Sequence, residues 1–445
     1  MSFLLLAEVV LAFGFMIFVH ELGHFIACRI FGVRVERFAL GFGPKIWARK
    51  WGDTEFALLS IPLGGYCRPA GGDLSGESPE KMYENAPKPG EFLFASWWKR
   101  IGIFLAGPLM NYLSAVAILV LLLVAGERIP VEKPVLGFVP PGSLADQAGL
   151  RKGDILLELR GNPIRNLNTD FDVKMEEIRA GVALTVERAG NRVPLTLKGD
   201  LKEAGAVLGI YGTAPPILGD VHFMTPARKA GLRPGDEVLT LNGKKVSDWM
   251  ELAFSIRTST TEEVVLEVKR KDKVYPVTVK RIFNGSNMAI GISPPESGEY
   301  DVKSTPFLKA VPEAFGRSVA FSSMFLGALW KLFTLQMSLK DNIAGPVTIL
   351  RTMYQRAARS WVEFMNTVAM ISLILCLMNL LPIPVVDGGQ IVLCLLEGIK
   401  RGPMSVKFQL VYQQVGMVFI FALMGLAVFN DVWSWVQETF RSQIR

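Results

Sequence analysis

At 445 residues, half of them apolar, with a mean hydropathy of +0.32, the chain is long enough for several domains and too apolar for an ordinary water-soluble protein. The formal charge of +7 comes from Lys and Arg spread along the chain without a dense run, which speaks against nucleic-acid binding and for loops at a membrane surface. Cys28, Cys67, Cys376 and Cys394 form no C-x-x-C pair and none lies between 68 and 375, so no disulfide framework is expected there.

The first apolar block, from Phe3, carries a single charge, Glu8, before it reaches His20-Glu21-Leu22-Gly23-His24. On a helix, His20 and His24 share one face, which is what two ligands of one metal ion need, and Glu21 points beside them. Two imidazoles, a third ligand from elsewhere and an open position for water make the layout of a zinc hydrolase, with Glu21 as the proton acceptor. His20 comes after about 26 Å of helix rise, so the motif lies inside a membrane span. Ionisable groups at that depth mark a functional site. A cleaved signal peptide is not expected, since no basic residue precedes the block and no small-residue cleavage site follows it.

Residues 29 to 100 contain eleven Lys or Arg, which makes this loop cytoplasmic and the N-terminus external. Within it, Glu55 to Tyr66 is too apolar for a solvated loop and reads as a hairpin dipping back toward the site, a plain cytosolic hairpin being the alternative. The second span, Ile101 to about Ala125, enters through Gly107-Pro108-Leu109-Met110-Asn111. Pro108 frees backbone groups and Asn111 brings an amide into hydrocarbon, so both are expected to face the site, with simple helix packing as the other reading.

From 127 to 300 the composition turns soluble and repeats at an offset of 82. Ala148-Gly149-Leu150-Arg151, Gly153-Asp154 and Gly161 recur as Ala230-Gly231-Leu232-Arg233, Gly235-Asp236 and Gly243. Each copy has a short helix ending at Gly, a G-D turn and an alternating strand. In residues 319 to 337, Ser323, Gly327, Lys331, Thr334 and Ser338 make a small, polar stripe, suited to a helix lying in the interface plane. A third span runs from about Val362 to Leu381 and is broken by Pro382 and Pro384 before Asp387-Gly388-Gly389. A fourth runs from about Val415 to Phe429, after a basic loop at 397 to 407. Asp387 is the expected third ligand. The prolines end the helix and the glycines let the backbone turn, and in a four-span layout the first and third spans run the same way, placing Asp387 level with His20.

Together, H-E-L-G-H, G-P-x-x-N, the tandem modules, which look like circularly permuted PDZ domains, and the Asn379-to-Gly388 segment resemble the site-2 proteases, in particular the type that regulates the sigma-E response in Gram-negative bacteria. The resemblance covers nearly the whole chain. It implies a polytopic α-helical membrane protein of four transmembrane helices with a re-entrant β-hairpin and two inserted PDZ-like domains. The expected division is 1–126 (first two spans and hairpin), 127–214 and 215–300 (PDZ-like domains), 301–360 (interfacial helices) and 361–445 (last two spans).

The implied activity is zinc-dependent cleavage, within the bilayer, of single-span substrates such as a trimmed anti-sigma factor or remnant signal peptides. The implied place is the bacterial inner membrane, with the PDZ-like domains and both termini periplasmic. By the same resemblance His20, His24 and Asp387 bind zinc and Glu21 is catalytic. Asn379, Pro382 and Pro384 support substrate, as does Asn111, and Gly41, Gly43, Gly64 and Gly65 belong to re-entrant strands. Two other classes are weighed: an inactive PDZ-bearing adaptor, which has no need of a complete ligand set, and a proton-coupled transporter, which has no need of H-E-x-x-H spacing.

Overall fold

The computed structural model describes residues 2–71, 88–200, 208–222, 225–284, 287–295, 299–334, 336 and 345–443. The chain divides into two compact units, one of residues 1–127 with 304–445 and one of residues 128–303.

The first unit is a helical bundle built from α1 (Phe3–Ile30), α2 (Trp97–Ala125), α3 (Phe307–Phe333), α4 (Pro346–Arg359), α5 (Trp361–Asn379), α6 (Asp387–Lys400) and α7 (Val406–Gln443). Among the described residues four helices are long and apolar enough to cross a membrane: α1, α2, α5 and the Lys407–Val432 part of α7. Their outward faces carry Leu11, Leu113, Leu121 and Phe421, as expected where lipid replaces water as solvent. Val9, Met16, Leu119, Leu123, Phe364, Val368 and Leu373 pack between α1, α2 and α5. Close approach of α1 to α2 depends on Gly23, where an added Cβ would lie 2.3 Å from the Ala106 carbonyl oxygen.

Helix α3 is amphipathic and is not among the four. Its packed stripe is Ala310, Ala314 and Ser318, small residues one turn apart, with Ser318 hydrogen-bonded to Tyr112. The stripe expected from the sequence lies further along and faces outward at Ser323 and Gly327, while Ser338 falls outside the described residues. Helix α4 starts at Pro346 with no cap of its own. Asp431 of α7 supplies it, accepting from the Val347 N–H at 2.9 Å and the Thr348 hydroxyl at 2.6 Å.

Between α1 and α2 lie two long antiparallel strands, β1 (Val35–Trp51) and β2 (Thr54–Pro69), joined at Gly52-Asp53. Residues 55–66 are thus one strand of a larger ribbon, which corrects the expectation that this stretch is itself a hairpin. Both strands bend: Gly41 and Gly43 have φ near +89° and +88°, and Gly64 has φ +133°, so each bend sits where L-residues are disfavoured. The bends fold the ribbon on itself, so that Ala39 faces both Ala57 and Tyr66. Phe18, Phe25, Phe38 and Phe56 pack edge-on and anchor it to α1.

The second unit holds the repeat as three dimensions. A four-stranded sheet orders β4 (Asn162–Pro163), β3 (Ile155–Leu159), β5 (Val182–Arg188) and β6 (Asn191–Leu197). A second sheet repeats that order with β8 (Lys244–Lys245), β7 (Glu237–Leu241), β9 (Glu263–Arg270) and β10 (Lys273–Lys280). Each sheet closes over its own core, around Leu156, Ile178 and Val186 in the first and Val238, Leu252 and Leu266 in the second. The sequence offset extends to a pair of ion pairs. Asp154 binds Arg188 and Asp236 binds Arg270, and each arginine also donates to the carbonyl of the glycine that ends the short helix, Gly149 or Gly231.

Candidate metal centre

Three helices converge at the inner part of the first unit. α1 contributes His20 and His24, one turn apart; α2 passes at Gly107 and Asn111; α6 begins with Asp387. His20 Nε2 lies 3.2 Å from His24 Nε2 and 3.2 Å from Asp387 Oδ2, and His24 Nε2 lies 3.5 Å from Asp387 Oδ1. Among the described residues these three side chains are the group able to hold a metal ion. Ligands about 2.0–2.1 Å from a tetrahedral zinc are separated by about 3.4 Å, close to the spacing of the two Nε2 atoms and to the approach of one carboxylate oxygen to each of them.

The donor chemistry tests the fit further. His24 Nδ1 is 2.8 Å from the Ile103 carbonyl oxygen, which can only accept, so Nδ1 carries the proton and Nε2 a lone pair. That lone pair faces a second imidazole nitrogen and a carboxylate. Asp387 Oδ2 is buried and receives no well-directed hydrogen bond. Acceptors held this close repel one another unless a cation lies between them.

Gly107 is the residue that lets α2 pass. A Cβ there would lie 2.4 Å from His24 Nε2 and 2.9 Å from His20 Cε1. Neither Gly107 nor Pro108 has a polar side chain, so pattern reading found the motif but not this steric role. Asn111 is buried, with its amide nitrogen 3.2 Å from His20 Nδ1. Its backbone carbonyl accepts from Ser114 of α2 and Ser372 of α5, both at 2.9 Å.

Glu21 follows His20 on α1 and turns to the ribbon. The Cys67 backbone N–H donates to its carboxylate, and a Cβ at Gly65 would lie 3.2 Å from Glu21 Cγ. Strand β2 therefore holds the carboxylate that the motif supplies.

Asp387 is placed differently from its expected setting. It opens a separate helix, α6, which runs to Lys400, so the loop before α7 is shorter than the expected 397-to-407 segment. Gly388 and Gly389 are helical and do not turn the chain; a Cβ on them would lie 2.3 Å from the Leu381 carbonyl oxygen and 2.1 Å from that of Ile383, respectively. The turn falls instead on Val385, at φ +101°. Asn379 ends α5, and Pro384 packs on Gly416 of α7; no described hydrogen bond joins Asn379 to the cluster. The C-terminal end of α6 is tied to α2 by the buried Glu397 and the half-buried Arg100, at 2.6 Å, a link with no sequence signal because the partners are 297 residues apart.

An H-E-x-x-H helix inside a bundle of apolar spans, completed by a carboxylate from another helix, defines a membrane-embedded metalloprotease. The sequence profile of peptidase family M50 matches residues 8–423, and the chain belongs to that family. It is similar over nearly its whole length to the regulator of sigma-E protease RseP of Escherichia coli, 31% identical over 454 residues that cover 96% of this chain and 98% of that protein. Protease RseP of Yersinia pestis is also 31% identical, over 456 residues with the same coverage. A protein of Neisseria meningitidis named as a zinc metalloprotease is 31% identical over 446 residues, covering 95% of this chain and 98% of its own. The chain is a zinc metalloprotease of the site-2 type.

Proposed function

We propose that His20, His24 and Asp387 hold one zinc ion and that Glu21 serves as general base and acid in the hydrolysis of peptide bonds within transmembrane segments. The observation that carries this reading is the meeting of the two Nε2 atoms, 3.2 Å apart, with the Asp387 carboxylate, whose Oδ2 lies 3.2 Å from His20 Nε2 and whose Oδ1 lies 3.5 Å from His24 Nε2. Zinc there supplies a Lewis acid and a water acidified to a pKa of about 7. Glu21, held by the Cys67 N–H, takes the proton of the attacking water and passes it to the leaving amine.

A substrate helix must open before its carbonyls are accessible, and pairing with the bent edge around Gly64 and Gly65 would replace the hydrogen bonds it gives up. Gly41 and Gly43 supply the matching bend in β1. Asn379, Pro382 and Pro384 border the path from α5 to Asp387 and are assigned to holding substrate. The substrates are single-span membrane proteins, such as a trimmed anti-sigma factor, and remnant signal peptides. The sigma-E regulation in the name of the Escherichia coli relative supports the anti-sigma-factor part of this reading. The positive-inside rule applied to the basic loops supports a cytoplasmic ribbon and α6–α7 connection, with both termini and the two modules periplasmic. The modules are read as PDZ-like domains spanning 127–214 and 215–300.

Zinc analysis of the purified full-length chain tests the reading. Wild type and Glu21→Gln should each carry about one zinc, with only the first cleaving a transmembrane substrate, because a base loses its proton affinity without leaving the metal. Asp387→Ala should lose metal as well as activity. Equal zinc loss in both variants would sink the role assignment.

A further inference from the structure

We propose that Asn111 is a positioning residue of the metal centre, its side-chain oxygen accepting a hydrogen bond from His20 Nδ1–H and so fixing the tautomer in which Nε2 is free to bind metal. The inference rests on the ligand set proposed above. His20 Nε2 is the nitrogen that faces His24 and Asp387. A neutral imidazole that ligates through Nε2 carries its proton on Nδ1, and that proton needs an acceptor in a buried place.

The group next to Nδ1 is the Asn111 amide, at 3.2 Å. With its nitrogen toward Nδ1, a donor meets a donor, while Asn111 Oδ1 is buried without a partner. The oxygen and nitrogen of an amide exchange places by a half-turn about the last side-chain bond, and hydrogen bonding decides between the two. The half-turn puts Oδ1 on Nδ1–H.

The other histidine supplies the precedent. His24 Nδ1 already meets an obligate acceptor, the Ile103 carbonyl, and both acceptors lie on α2, eight residues apart. Two turns of α2 thus serve two histidines of α1, one with a backbone oxygen and one with a side-chain oxygen. Asn111 is itself held in place. Its carbonyl receives the hydroxyls of Ser114 and Ser372, which are 3.1 Å from each other, and Ser372 is fully buried on α5, the helix that leads to Asp387. The amide therefore ties the orientation of His20 to the element that delivers the third ligand.

The test is the zinc affinity of the detergent-solubilised full-length chain, measured by chelator competition, for wild type, Asn111→Leu and Asn111→Asp. Leucine removes the acceptor at similar volume and should weaken zinc binding about 10- to 100-fold. Aspartate keeps an acceptor and has no donor, so it should bind zinc within a few-fold of wild type or more tightly. An Asn111→Leu protein that binds zinc like wild type overturns the proposal, as does an Asn111→Asp protein that is folded by circular dichroism yet has lost zinc. Should the leucine variant not fold, the aspartate variant decides alone, retention supporting the acceptor role and loss overturning it. A wild-type chain that binds no zinc would instead overturn the ligand set itself, so the two failures are distinguishable.

Discussion

A methyl group added at Gly107 would meet His24 Nε2 at 2.4 Å, closer than any contact that atom can accept while keeping a ligand position. The neighbouring helix is fixed by the Gly23 contact, also without slack, so relief must come from the imidazoles. Overpacking of this kind costs about 1–3 kcal/mol, and each 1.4 kcal/mol taken from metal binding is about tenfold in affinity. Gly107→Ala is therefore expected to weaken zinc binding at least several-fold while leaving the chain membrane-inserted and helical. Zinc content after dialysis against a buffered chelator, compared with the circular dichroism spectrum, checks this. A variant with wild-type zinc retention would mean that the helices have room the packing does not suggest.

Among the elements, the repeated modules give a case where charge rather than packing decides stability. Asp154 is almost fully buried behind the turn at Gly153, where desolvation pushes its carboxyl up. Hydrogen bonds from Arg188 and from the Arg151 N–H outweigh that and hold it below the usual carboxylate range. A carboxylate with a lowered folded-state pKa stabilises fully above its unfolded value of about 3.9, and the contribution fades as pH falls through the lower folded value. Asp154→Asn should therefore lower the stability of the first module by about 2–4 kcal/mol at pH 7. Below about pH 4 the gap between variant and wild type should close. Thermal unfolding of the 128–303 unit within the full chain, followed by calorimetry at pH 7, 4.5 and 3, reads the difference. A gap that stays constant with pH would show that the aspartate acts by shape alone.

For the whole molecule, the proposed orientation in the bilayer follows from the basic loops, while the site itself requires that α1 and α5, the helix that leads to Asp387, run the same way. The four native cysteines are buried and give little background to labelling from outside. Cysteine placed at the exposed Asn191 should react with an impermeant maleimide in spheroplasts, and one at the exposed Lys50 only after lysis. The reverse pattern would overturn the topology.

The two modules fill the chain between α2 and α3, and we propose that they act on substrate entry, either by excluding bulky external domains or by capturing peptide. The second use has a cleft available, lined by His222, Met250, Phe254, Arg257 and Ile292. Replacing residues 127–300 with a flexible linker should speed cleavage of an untrimmed substrate if the modules exclude, and slow cleavage of a trimmed one if they capture. Untrimmed substrate left intact beside normal processing of a trimmed control would rule out exclusion.

What the sequence determined by itself was whatever depends on spacing and composition: the i, i+4 histidines, the apolar spans, and an 82-residue repeat that marks two copies of one module. These signals are local, because a helix or strand imposes its period on its own residues. Asp387 was legible as a carboxylate between helix breakers, yet its place at the head of a new helix was not. A 14-residue amphipathic segment packed against α2 looks in sequence like a loop between spans. Only the tertiary structure decided which residues serve the histidines. Ile103 acts through a carbonyl that every residue has, Gly107 through an absent Cβ, and Ser372 through a partner 261 residues away. Backbone acceptors, missing atoms and long-range hydrogen bonds leave no period and no composition to read, so they emerge only when the helices are packed.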